Sequence, residues 1–115
     1  MKMGTQTHNL KEYKSHTTFE GIKFTLPEGD LYNLQYAAAI MQVRKSSGTP
    51  VMQQFRPGDG TMVINVEQRT ITIPPQIIKL AAGTYMWDLR IRFQDQREKI
   101  YVEGKWVIQS YISAL

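Results

Sequence analysis

Thr84-Tyr85-Met86-Trp87-Asp88-Leu89-Arg90-Ile91-Arg92-Phe93 is the stretch whose reading decides the fold. Tyr85, Trp87, Leu89, Ile91 and Phe93 alternate with Met86, Asp88, Arg90 and Arg92. A helix would scatter the five apolar side chains around its circumference. A strand, whose side chains point alternately to its two sides, puts all five on one face. The stretch therefore reads as a β-strand with one face in a dry interior and the other in water.

Working outward, Asp95-Gln96-Arg97 reads as a turn, and residues 99–110 return with Ile100, Val102, Trp106 and Ile108 on one phase. Gly104 interrupts that phase and is expected to mark a bulge or bend. On the other side, Leu80-Ala81-Ala82-Gly83-Thr84-Tyr85 places Tyr85 at the start of the penultimate strand. In immunoglobulin-like folds that is the tyrosine-corner position, whose hydroxyl satisfies backbone groups where the chain crosses between sheets. Pro74-Pro75 stops the strand before it, and residues 76–82 are expected to make one short helical turn ahead of Gly83.

Further upstream, residues 61–66 and 70–73 alternate Met62, Ile64, Val66 and Ile71, Ile73 across Glu67-Gln68-Arg69, the pattern of a β-hairpin. Residues 51–55 form a short run closed by Arg56-Pro57-Gly58-Asp59-Gly60, a cluster that adopts turn dihedrals cheaply. Runs at 34–45 and 17–26 make seven in all. The expected fold is all-β: an antiparallel immunoglobulin-like β-sandwich of about seven strands with one short helical turn, with a small barrel as the alternative. Residues 1–16 are polar and aperiodic and read as an extended N-terminal arm; residues 17–115 are the sandwich domain.

Length and composition agree. A chain of 115 residues, 42% hydrophobic and 21% charged, supports one core and leaves too little for two. The longest apolar run, residues 36–41, is far shorter than the roughly 20 residues of a membrane-spanning helix. No apolar stretch near the N-terminus reads as a secretory signal, so synthesis is expected to end in a cytoplasm.

Candidate chemistry is sparse. The lack of cysteine removes disulfides, thiolate metal sites and cysteine nucleophiles, and two histidines, His8 and His16, leave little for metal ligation. Neither has a carboxylate at ligand spacing, and both read as solvated arm residues. Ser15 has only His16 beside it as a base, which makes no triad. Gly58-Asp59-Gly60 lacks the third glycine and the helix of a dinucleotide fingerprint and reads as a turn. Asp88 stands alone as a carboxylate in its strand and is expected to pair with an arginine. The net charge is +4, but Arg90, Arg92, Arg97, Lys99 and Lys105 are interleaved with Asp88, Asp95, Glu98 and Glu103. This reads as a mixed solvated face, and nucleic acid is not an expected partner. No cofactor, no metal and no enzymatic activity are expected.

Thr17-Thr18-Phe19-Glu20-Gly21-Ile22-Lys23-Phe24 is similar to the opening strand of a family of small phage and prophage structural proteins of tails and baseplates, with His16-Thr17 where the family has Gly-Asp. Ala39-Ile40-Met41-Gln42-Val43-Arg44 resembles the family's second strand. Leu80-Ala81-Ala82-Gly83-Thr84-Tyr85-Met86-Trp87-Asp88-Leu89 resembles its Gly-x-Tyr and aromatic-Asp-Leu stretch, and Val102-Glu103-Gly104-Lys105-Trp106-Val107-Ile108 its closing strand. The resemblance covers residues 16–112 and implies an immunoglobulin-like sandwich that acts in assembly without catalysis. Its partners would be other particle subunits or further copies of the chain, with no membrane involved. Tyr85, Trp87, Gly83, Arg44, Asp88, Gly104 and Trp106 are then expected in structural roles, Arg44 and Asp88 as a cross-strand ion pair that fixes register. Two alternatives have other requirements: a carbohydrate or cell-surface binding sandwich needs exposed aromatic residues such as Trp106 around a groove, and a single-strand nucleic-acid binding barrel needs exposed rings beside arginines.

Overall fold

The alternating stretch is a strand in the computed structural model, which describes residues 6–13, 18–19, 21–46, 48–77 and 80–109. It spans Gly83–Arg92 and is the tenth of the eleven strands among the described residues. Tyr85, Trp87, Leu89, Ile91 and the following Phe93 are each at most 3% exposed, while Met86 on the other face is 46% exposed.

In chain order the strands are β1 (Gln6–Thr7), β2 (Leu10–Tyr13), β3 (Thr18–Phe19), β4 (Ile22–Thr25), β5 (Ala38–Arg44), β6 (Val51–Phe55), β7 (Val63–Asn65), β8 (Thr70–Ile73), β9 (Gln76–Ile77), β10 (Gly83–Arg92) and β11 (Glu98–Gln109). The larger sheet has the order β1-β11-β10-β5-β6, with β2 also paired to β11. The second layer is β4-β8-β7, and the short β3-β9 pair forms a separate two-stranded sheet. The fold is a β-sandwich. Its interior is filled from both layers by Leu26, Met62, Ile71 and Ile73 on one side and Met41, Val43, Phe55, Leu89, Ile91 and Trp106 on the other. Phe24 of β4 lies against Trp87 of β10, ring centroids 5.9 Å apart, and this contact ties the layers together.

Several expectations are corrected. The N-terminal residues that are described, 6–13, do not stand apart as an arm: β1 and β2 run parallel to β11 and extend the chain's own sheet. The sandwich is thus antiparallel except at this edge. Residues 76–77 are strand rather than helical turn, paired with 18–19. Pro74-Pro75 favours an extended entry, and Gln76 Nε2 donates to the Pro74 carbonyl oxygen at 3.0 Å. Short 3-10 turns occur instead at Asp30–Tyr32 and Pro57–Asp59.

The bulge of β11 is not at Gly104. The register with β10 shifts between Leu89 and Arg90, which face Val102 and Ile100, so the extra residue is Tyr101. The shift turns Tyr101 inward, 4% exposed, and carries Ile100 to the outer face opposite Arg90. Ile100 therefore leaves the phase of Val102, Trp106 and Ile108. The turns at Arg69 and Gln96 have φ of 56° and 71°, and the Phe93 N–H donates to the Arg97 carbonyl oxygen at 2.9 Å to close the β10-β11 hairpin. No helix among the described residues is long and apolar enough to cross a membrane.

Candidate functional site

With the rings of β10 turned inward, the outer face of the larger sheet is left to charged and polar side chains. Its centre is a row that runs across three strands: Gln42 of β5 and Glu103 of β11 stand opposite Asp88 on either side. One residue pair along, Met86 stands between Arg44 and Lys105. These side chains, with Thr7, Asn9 and Gly104, line an open groove of about 700 Å³.

Asp88 takes an arginine, but not Arg44. Arg90 Nε lies 3.5 Å from Asp88 Oδ1, while Arg44 Nη2 donates to Gln42 Oε1 at 2.8 Å. The expected Arg44–Asp88 ion pair is thus replaced, because register sets Arg44 beside Met86 and gives Gln42 the place next to Asp88. Gln42 Nε2 in turn reaches Gln54 Oε1 of β6 at 3.5 Å. Asp88 Oδ1 is buried and accepts no hydrogen bond among the described residues.

The tyrosine-corner residue makes the corner's contact: the Tyr85 hydroxyl donates to the Ala81 carbonyl oxygen at 2.7 Å. Gly83, at φ 154°, opens β10 with Lys45 Nζ close over it; the same ammonium sits 4.7 Å from the centroid of the Tyr85 ring. Trp106 is 0% exposed and stacks on Phe55 of β6 at 6.2 Å. It is not the exposed aromatic that a carbohydrate groove would use.

Gly104 has a role that its spacing did not announce. A Cβ on it would run into the backbone carbonyl of His8. The glycine is a notch over which the N-terminal segment crosses. The His8 N–H donates to the Glu103 carbonyl oxygen at 2.9 Å, and Asn9 Oδ1 accepts from the Lys105 N–H at 3.0 Å, which bridges the gap between β1 and β2. His8 is exposed and meets the Trp87 ring edge-on, centroids 6.5 Å apart. Among the described residues no three side chains of the His, Asp or Glu type converge in a metal-holding group; Ser15 and His16 lie outside the described residues.

The lower half of the outer face is different in character. Arg90 and Arg92 of β10 meet Arg56, which follows β6, around an open cleft of about 600 Å³ that also takes in Ala38, Gly58 and Glu98. Arg56 was legible only as part of a turn; it joins the other two through the pairing of β6 to β5 and β5 to β10.

The sheet ends in an open strand. β6 pairs with β5 on one side only among the described residues. Met52 is the extra residue of a bulge between Val43 and Arg44, and it is 54% exposed beside Val51 at 36%. In the second layer β7, next in the chain, is one of the two outer strands, with Val63 53% exposed.

No protein-family model matches the sequence, and no curated protein is significantly similar to it. Among solved structures the chain is similar to CopC from Methylosinus trichosporium OB3b, at 14% identity over 92% of this chain and 90% of that one, with a TM-score of 0.49. PcoC, a copper resistance protein from Escherichia coli, gives 15% identity over 87% and 90%, TM-score 0.42. An internalin-like protein of Listeria monocytogenes gives 14% over 92% of this chain but 30% of its own, TM-score 0.38.

Proposed function

We propose that this chain is a non-catalytic docking module, a structural part of a phage or prophage tail or baseplate that joins its neighbours through sheet edges. The observation that carries the docking reading is the open β6 strand. It is the last strand in the order of the larger sheet among the described residues, and Val51 and Met52 add apolar surface at this edge. An edge of this kind pairs readily with a strand from another chain. The place in a phage particle rests on the motif resemblance of residues 16–112, the Gly-x-Tyr stretch at Gly83 to Tyr85 above all.

The test is light scattering of the chain, alone and mixed with the particle subunits encoded beside it, against the double variant Met52→Lys, Val63→Lys. Both positions are exposed, so the variant should keep its melting temperature. A lysine at an edge opposes strand pairing. The reading expects assembly with wild type and its loss in the variant; assembly undiminished in the variant would refute it.

A further inference from the structure

We propose that the cleft between Arg56, Arg90 and Arg92 binds a ligand that carries a phosphate monoester. The site begins where the docking strand ends, since Arg56 directly follows β6, and it was invisible along the chain, where the two β10 arginines are offset by their acidic neighbours. The fold undoes that dilution. Arg90 and Arg92, two apart on one strand, share the outer face, and Arg56 comes to them from the end of β6, ahead of the Pro57–Asp59 turn.

The charges in the cleft are only partly committed to acidic partners. Arg90 is held at its Nε by Asp88. Arg92 and Arg56 have no ion pair among the described residues, although Glu98 stands opposite Arg92 in register. The nearby loop carboxylate, Asp59, accepts from the Thr61 hydroxyl and backbone N–H and keeps its charge, which the neighbouring Arg56 also attracts without forming an ion pair. The lining itself carries three guanidiniums and the one carboxylate of Glu98, a formal +2, of which the Asp88 paired with Arg90 offsets part.

Room is also present. Ala38 lies directly opposite Arg92, and around Gly58 a Cβ would meet nothing within 4 Å. Small residues keep the space between the guanidiniums open.

These features select the ligand's charge and shape. A phosphate monoester carries close to two negative charges near neutral pH and three terminal oxygens, which suits a net positive lining and the forked donors of several arginines. A carboxylate brings one charge and two oxygens and leaves part of the site unmatched.

The experiment is calorimetric titration of the whole chain with inorganic phosphate at a pH where it is dianionic, with acetate as the carboxylate probe and sodium chloride holding ionic strength constant. Saturable phosphate binding is expected, with acetate weaker by about tenfold. Arg56→Gln and Arg92→Gln should each weaken phosphate by about tenfold, the loss of one charge-assisted contact. Lys23→Gln, on the other layer, should leave it unchanged. All three positions are exposed, and melting curves would confirm that each variant folds. Absent phosphate binding, acetate equal to phosphate, or an equal loss in Lys23→Gln would overturn the proposal. A thymidine oligonucleotide is the last probe: tighter binding per phosphate than inorganic phosphate would overturn the monoester assignment in favour of a phosphodiester.

Discussion

Tyr85 shows how one side chain can close a crossing between sheets. Its ring is buried at 1% exposure, and its hydroxyl holds the carbonyl oxygen of Ala81. Tyr85→Phe keeps the ring and removes the donor, so it should cost about 1 to 2 kcal/mol in denaturant unfolding; an unchanged midpoint would mean that the carbonyl is satisfied without it. Trp87, at 2% exposure and packed on Phe24 of the other layer, carries more. Trp87→Ala should cost about 3 to 5 kcal/mol, and a loss under about 1 kcal/mol would contradict its central place. Tyr101 gives a pH signature. Burial pushes its hydroxyl above the ordinary 10.0, so the unfolded chain ionises first. The stability tied to its neutral form is present below pH 10.0 and is lost as pH rises through the higher folded value. Melting temperature should fall above that pH, and less so in Tyr101→Phe. The inward place of Tyr85 and Trp87 was legible from alternation alone. That of Tyr101 was not, because a bulge reverses the phase at one residue and leaves no local mark in the sequence.

Among the elements, the last strand and the first two make one unit. The parallel pairing of β1 and β2 with β11 depends on close backbone approach at Gly104, where no side chain fits. Gly104→Val should therefore lift the N-terminal segment from the sheet, at a cost of about 1 to 3 kcal/mol. Hydrogen exchange would report it as lost protection at the His8 amide, which bonds to Glu103; retained protection there would contradict the notch. The polar composition of residues 1–16 gave no hint of this docking, since a parallel edge strand needs no alternation of its own and is specified by the partner it meets. The same limit applies to Arg44 and Asp88. Opposite charges in two motifs suggested a pair, but a strand's register decides which residues face each other, and it set Gln42 beside Asp88.

For the molecule as a whole, one alternating stretch was enough to orient the larger sheet, and the hairpins at 67–69 and 95–97 supplied much of the antiparallel order. What remained hidden was non-local: the order of strands that gathers Arg56, Arg90 and Arg92 on one face, and the position of β6 at the rim. Those two features carry the functional account, one as a polar cleft and the other as an open edge. Hydrogen–deuterium exchange compared between the free chain and its assembled form tests the account most directly. It predicts that the amides of Val51–Phe55 gain protection on assembly while the β10 amides, already paired on both sides, barely change. Assembly that left Val51–Phe55 exchanging as in the free chain would contradict it.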